Sequence, residues 1–159
     1  MGKYKSEIRE LSLEEALDVS DIEELKGEME EWVSNMSGTA LENTGKYQAA
    51  DDAVGQLETP AGITFEDLWS YIPDDKRDAI QETKIKIAYD VPRSRKQSTS
   101  RAIRLSNAVS QVETALQWLM DNLVDANPDQ DYSSLKDEID TITGDLGESE
   151  SVEFPTMFG

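Results

Sequence analysis

Five cations, Arg93, Arg95, Lys96, Arg101 and Arg104, fall in a stretch from Val91 to Val112 that contains no Asp or Glu. Guanidinium groups offer planar forks of donors that match phosphate and carboxylate, and an ammonium adds a compact point charge. Placed around a loop and the first turn of a helix, four guanidiniums and one ammonium are suited to hold phosphate or an acidic partner. The same groups are also suited to pair with carboxylates of the chain itself and so hold helices together. The stretch inverts the sign of the molecule. The whole chain has 15 Lys+Arg against 34 Asp+Glu and a formal net charge of −19. The segment is +5, so −19 less +5 leaves −24 for everything else. No aromatic residue interleaves with the cations, and the surrounding field is negative, so direct nucleic-acid binding is not expected.

Other chemistry is thinly represented. The chain has no His and no Cys, which removes imidazole acid–base work, thiol or Ser–His nucleophiles, thiolate or imidazole zinc sites and disulfides. Asp125, Asn127, Asp129 and Asp131 occupy the first, third, fifth and seventh positions of a calcium-type loop between two helices. However, Gln130 stands where such a loop needs Gly and Lys136 where it needs a bidentate Glu. A helix-connecting loop is the better account, and no metal is expected. Met1-Gly2-Lys3-Tyr4-Lys5-Ser6 matches an acylation pattern formally, but one acyl chain anchors only marginally, and the match is read as chance. Among 34 acids, no carboxylate pair is marked by its spacing as catalytic, so no catalytic residue and no cofactor is assigned.

The acids are dense near the N-terminus. Eleven lie between Glu7 and Glu31, against Arg9 and Lys26 alone. Such a face is either solvated helix surface or, if its charges are spaced like phosphates, a DNA mimic that occupies a DNA-binding protein.

The elements that must position these residues read as helices for the most part. Ser12-Leu13-Glu14-Glu15 and Ser20-Asp21-Ile22-Glu23 both fit capping boxes. The second opens an amphipathic helix with Leu25, Met29, Trp32, Val33 and Met36 on one face, ending at Gly38. A further helix after Asn43-Thr44 carries Tyr47, Ala50, Val54 and Leu57, with Pro60 just beyond. The short link makes the two an antiparallel hairpin over residues 20–58, and the small residues allow close approach. Thr64–Asp67 caps a short helix with Leu68, Trp69 and Ile72, stopped at Pro73. Ile85, Ile87 and Tyr89 alternate with Lys84 and Lys86, a strand signal whose expected partner is residues 62–65. Beyond the basic loop, Leu105, Val109, Val112, Leu116, Leu119 and Leu123 step by four and three, a heptad-like seam in a helix over 100–124. The seam is expected to be the central core stripe, with a homodimeric coiled coil as the alternative. Leu135, Ile139 and Ile142 mark a last helix over 133–143.

The fold class that follows is mainly α. It is a compact bundle of four to five helices built on an N-terminal helical hairpin and a long C-terminal-half helix, with a minor β element near residues 84–89. Residues 1–146 form one domain, with an irregular/β segment over 60–92, and 147–159 an acidic, flexible tail. Leu, Ile, Val and Phe make up 34 of the 159 residues, just above the level at which charged chains stay unfolded. The expected core is Leu25, Met29, Trp32, Val33, Val54, Leu57, Leu68, Ile85, Ile87, Val109, Val112, Leu116, Leu119 and Leu123. No apolar run approaches the ~20 residues of a membrane span and no signal-peptide core is present, so a cytoplasmic protein without membrane contact is expected.

Two segments together resemble a known group. One is Leu25–Met36 followed by Thr44-Gly45-Lys46-Tyr47-Gln48 and Leu57-Glu58; the other is Ser100-Arg101-Ala102-Ile103-Arg104-Leu105-Ser106-Asn107-Ala108 leading into the leucine-rich helix. The chain resembles, over about half its length, small proteins of unknown function encoded by tailed bacteriophages. They similarly pair a Glu-rich, Trp-containing helix with a basic turn and a Ser-Arg helix. The resemblance implies a viral protein working in a bacterial cytoplasm or carried in a virion, and it supplies no activity. The expected function is non-enzymatic binding of a host or viral protein, a basic one by charge, to inhibit or redirect a host or defence factor. The alternatives are a virion or assembly component that forms homo-oligomers through its helices, and the DNA mimic.

Overall fold

Ser12 joins the first two elements. It ends strand β1 (Tyr4–Ser12) and caps the one-turn helix α1 (Leu13–Ala16). Its hydroxyl accepts from the Glu15 amide at 3.2 Å, while the Glu15 carboxylate accepts from the Ser12 amide at 3.3 Å. The capping box expected there is complete. The computed structural model describes residues 4–94 and 98–155. Arg95 and Lys96 of the basic segment, Met1 to Lys3 of the acylation-like hexapeptide, and Met157 and Phe158 lie outside the described residues.

Helix α2 (Ser20–Met36) starts differently from its expected capping box. Ser20 is already helical, Val19 is the N-cap and supplies no side-chain bond, and Asp18 just before it accepts from the Ser20 amide at 2.8 Å and its hydroxyl at 2.9 Å. The helix ends at Ser37–Gly38, where Gly38 has φ of +76°, the left-handed conformation only glycine adopts without strain. After a 3₁₀ turn (Ala40–Asn43), Thr44 caps helix α3 (Gly45–Ala61) through the Tyr47 amide. Ala50 and Ala53 are fully buried against Met29 and Met36, so the small residues do bring the hairpin together closely. Trp32, Val33 and Val54 sit at the margin of this cluster, partly buried rather than central.

Two short helices follow, α4 (Glu66–Ser70) and α5 (Asp74–Glu82). The chain then enters strand β2 (Lys84–Pro92), longer than the alternation alone shows. Its partner is not residues 62–65 but β1, antiparallel, with Arg9 opposite Ile87 and Ile8 opposite Ala88. β1 gives almost no burial signal because it buries little beyond Leu11 and Ser12, and the backbone makes the pairing. Ile85, Ile87 and Tyr89 bury the inner face of β2 against helix α6 (Arg101–Leu119).

Helix α6 is the centre of the molecule. Leu105, Val112, Leu116, Leu119 and Leu123 are buried and Val109 is half-buried, so the seam faces the chain's own core. A π-helical turn (Met120–Val124) closes it, with the Asp125 amide reaching the Met120 carbonyl at 2.8 Å. Helix α7 (Ser133–Gly147) runs past its expected end because Leu146 is fully buried. The segment expected to be a flexible tail is packed as far as it is described. Glu148–Ser151 form a 3₁₀ turn, Ser149 is buried, and Val152 and Phe154 pack against both apolar clusters. The fold is a mainly helical bundle with a minor two-stranded antiparallel sheet. Among the described residues, no helix is long and apolar enough to cross a membrane.

Candidate functional site

The basic segment divides on folding. Helix α6 lies along α2, and Arg101 and Arg104, one turn apart, meet the stripe formed by Glu24, Glu28 and Trp32 at four-residue spacing. Arg101 Nε donates to Glu28 Oε1 at 2.8 Å. Arg104 straddles the same carboxylate, with Nη1 at 3.2 Å from Oε1 and Nη2 at 2.8 Å from Oε2. Nη2 also lies 3.5 Å from Glu24 Oε1. The Arg101 guanidinium stacks over the Trp32 ring, 5.3 Å from its centroid. The Glu28 and both arginine side chains are between 26% and 30% exposed, so the cluster is largely shielded.

The electrostatics follow from this geometry. Hydrogen bonding from Arg104 holds the Glu28 carboxyl below its ordinary range; burial opposes this, and the Arg101 bond adds to the lowering. The Arg104 guanidinium is raised in turn, first by its bond to Glu28. Glu28 therefore sits where an incoming phosphate would have to bind. These two arginines act as ion-pair elements between helices.

Arg93 goes elsewhere, donating from Nε to the Tyr4 carbonyl at 3.2 Å. The Tyr4 hydroxyl accepts from the Ser100 amide at 3.1 Å, so Tyr4 holds both ends of the basic loop. Ser100 caps α6 through the Ile103 amide.

Behind the Arg104 pair is a polar cleft of about 550 Å³ between the inner face of the sheet, α2 and α6. Arg9, Asp21, Glu24, Tyr89 and Arg104 line it, with Asn107 and Gln111. Arg9 lies over the Tyr89 ring at 5.1 Å from its centroid, and the Tyr89 hydroxyl donates to Gln111 Oε1 at 2.6 Å. Burial raises the Tyr89 phenol above its ordinary value. Arg9 and Arg104 face three carboxylates there, Asp21, Glu24 and Asp90, so the cleft carries no strong field for one ligand charge.

In the Asp125–Asp131 loop, Asn127 Nδ2 donates to the Leu123 carbonyl at 2.7 Å. Asp131 Oδ1 accepts from the Ser133 amide at 3.1 Å and its hydroxyl at 2.7 Å, at the start of α7. Those bonds also lower the Asp131 carboxyl. Among the described residues, no three acidic side chains are grouped to hold a metal ion.

The sequence reading missed Glu28 as the counter-charge and placed it with the solvated acids. The usable signal was the Glu24–Glu28–Trp32 spacing set against Arg101 and Arg104. It also missed the clamp on β2, where Asn107 accepts from the Asp90 amide and donates to its carbonyl, both at 2.9 Å. The outward carboxylates of the hairpin remain: Glu23 and Glu31 on α2 and Asp51 and Glu58 on α3 are exposed. No protein-family model, curated protein or solved structure matches this chain.

Proposed function

We propose that the chain is a non-enzymatic protein of tailed-bacteriophage type that acts in the bacterial cytoplasm by binding a basic host or viral protein surface, inhibiting or redirecting a host or defence factor. The observation that carries this reading is where the arginines point. Arg101 and Arg104 are turned inward onto Glu28, so they do not neutralise the outer carboxylates of the α2–α3 hairpin. Outward carboxylates at Glu23, Glu31, Asp51 and Glu58, on a chain of −19, raise the encounter rate with a cationic surface and repel nucleic acid and anionic membranes.

The test is a tagged pull-down from bacterial lysate and from infected cells, washed at low and at high salt, with bound proteins identified by mass spectrometry. The expected result is one stoichiometric basic protein whose capture fades with salt. A variant with Glu23, Glu31, Asp51 and Glu58 changed to their amides should stay folded and lose it. Capture that is unchanged in that variant removes the acidic hairpin as the binding face. Recovery of viral structural proteins alone would place the chain in assembly instead.

A further inference from the structure

The two-stranded sheet leaves one edge open. The Asp90 amide and carbonyl are both taken by Asn107 of α6, so they point away from β1. Backbone groups alternate along an antiparallel pair, so the outward residues of β1 are those opposite the outward residues of β2. Asp90 is opposite Ser6, Ala88 opposite Ile8, and Lys86 opposite Glu10. The Leu13 amide bonding Thr83 O at 2.9 Å sets the same alternation. Ser6, Ile8 and Glu10 therefore present their N–H and C=O groups outward, and among the described residues nothing bonds them. These three residues are exposed, and Ile8 is 60% exposed, the most exposed of the large apolar side chains among the described residues.

We propose that this edge pairs with the same edge of a second copy, making a continuous four-stranded sheet across a two-fold axis at Ile8. Charge selects both the occupant and the register. With Ile8 opposite its own copy, Glu7 of each chain lies opposite Arg9 of the other. Glu7 and Arg9 already pair within one chain at 2.6 Å and are about half exposed, so the dimer joins two pairs into an alternating quartet. Moving the axis one residue puts Glu7 opposite Glu7 or Arg9 opposite Arg9, and directly opposed like charges destabilise a ladder. The matched register gives about six new N–H···O=C bonds from Ser6, Ile8 and Glu10. It also brings the two Ile8 side chains together on the outer face, beside Ala88 of each chain. The sheet does not share the acidity of the molecule as a whole. β1 and β2 hold Lys5, Arg9, Lys84 and Lys86 against Glu7, Glu10 and Asp90, a local +1 on a chain of −19. This inference does not depend on the partner reading, since it uses a different face.

The test is sedimentation velocity of the full chain from about 1 μM to about 1 mM, the range over which a weak dimer forms. The wild type is expected to shift from 17.8 kDa to twice that mass. Ile8→Pro removes an outward N–H and no bond to β2, and it should weaken the dimer at least about tenfold while the far-UV circular dichroism is retained. Glu7→Arg alone and Arg9→Glu alone should each be monomeric, because each opposes like charges across the axis. An equimolar mixture of the two restores opposite charges at both pairs and should dimerise. This second arm does not depend on the proline variant folding. A wild type that stays at 17.8 kDa throughout overturns the proposal and leaves the edge to a strand from a different protein. A dimer that survives Ile8→Pro, or a mixture that stays monomeric, also overturns it.

Discussion

Replacing Glu28 with Gln should destabilise the fold although it removes one charge from a chain of −19. The carboxylate receives Arg101 Nε at 2.8 Å and both terminal nitrogens of Arg104, at 3.2 and 2.8 Å. An exposed ion pair contributes about 0–1 kcal/mol, whereas breaking a fully buried one costs about 3–5 kcal/mol. With side chains 26–30% exposed, this cluster falls between those limits. The amide keeps one acceptor, so the loss should be about 2 kcal/mol. For a chain of this size, that lowers Tm by roughly 4–8 °C. Glu23, on the same helix but exposed and without an ion pair among the described residues, is the control. Glu23→Gln should change stability by less than about 0.5 kcal/mol, since relief of self-repulsion is offset by loss of a carboxylate from the first turn of α2. Thermal and urea unfolding followed by circular dichroism in one low-salt buffer measure both. Arg104→Gln should cost less in the Glu28→Gln background than alone, by about 1 kcal/mol of coupling. If Glu28→Gln and Glu23→Gln behave alike, or the two cluster substitutions simply add, the arginines are not structural. The basic segment would then be free to serve as an anion site.

Other outcomes follow from the same contacts. Glu28 has a folded pKa below its ordinary value of 4.5, so its stabilisation is fully present above that value and lost as pH falls through the folded one. The wild-type advantage over Glu28→Gln should therefore shrink on acidification below about pH 4.5, and a gap constant from pH 7 to pH 3 would contradict the pairing. Raising salt from about 0.01 to about 0.5 M shortens the screening length several-fold and should raise the wild-type Tm; a falling Tm would mean that attractive pairs outweigh the repulsion of the −19 surface. Gly38→Ala, at φ +76° with open space around its Cα, should cost about 1–2 kcal/mol through backbone strain alone, read as a Tm loss without loss of helix content.

What the sequence disclosed was what is buried on one side. The stripes Leu25–Met29, Ala50–Leu57 and Leu105–Leu123 repeat at helical spacing because each faces the core, and α2, α3 and α6 form where those stripes lie. The elements it hid are those that bury little. Helix α5 has no buried residue and only Ile80 packs against the core, so Asp74–Glu82 falls unmarked within the irregular/β segment over 60–92. β1 is charged on both faces, so periodicity does not reveal its pairing with β2 and leaves residues 62–65 as the apparent partner. The C-terminal segment failed for a different reason. Val152 and Phe154 have no periodic companions, yet they cover the boundary between the two apolar clusters, a requirement visible only once both clusters exist.

The same logic explains why the most conspicuous sequence feature turned inward. A helix such as α2, with carboxylates at Glu24 and Glu28 on the flank of its apolar stripe, cannot pack against another acidic helix in so negatively charged a chain. Like charges brought to within a few ångströms in a partly shielded interface repel by several kcal/mol unless countered. Arg101 and Arg104 remove that barrier, and the Trp32 ring shields one of them from water. An acid-free stretch is therefore what α6 needs in order to lie against α2 and β2 at once, whether or not it also meets a ligand. In a chain this acidic, a local reversal of sign first marks where two elements must touch. The partner face proposed above lies where the sign is not reversed, on the outer hairpin, and the proposed pairing edge where it is balanced, along β1.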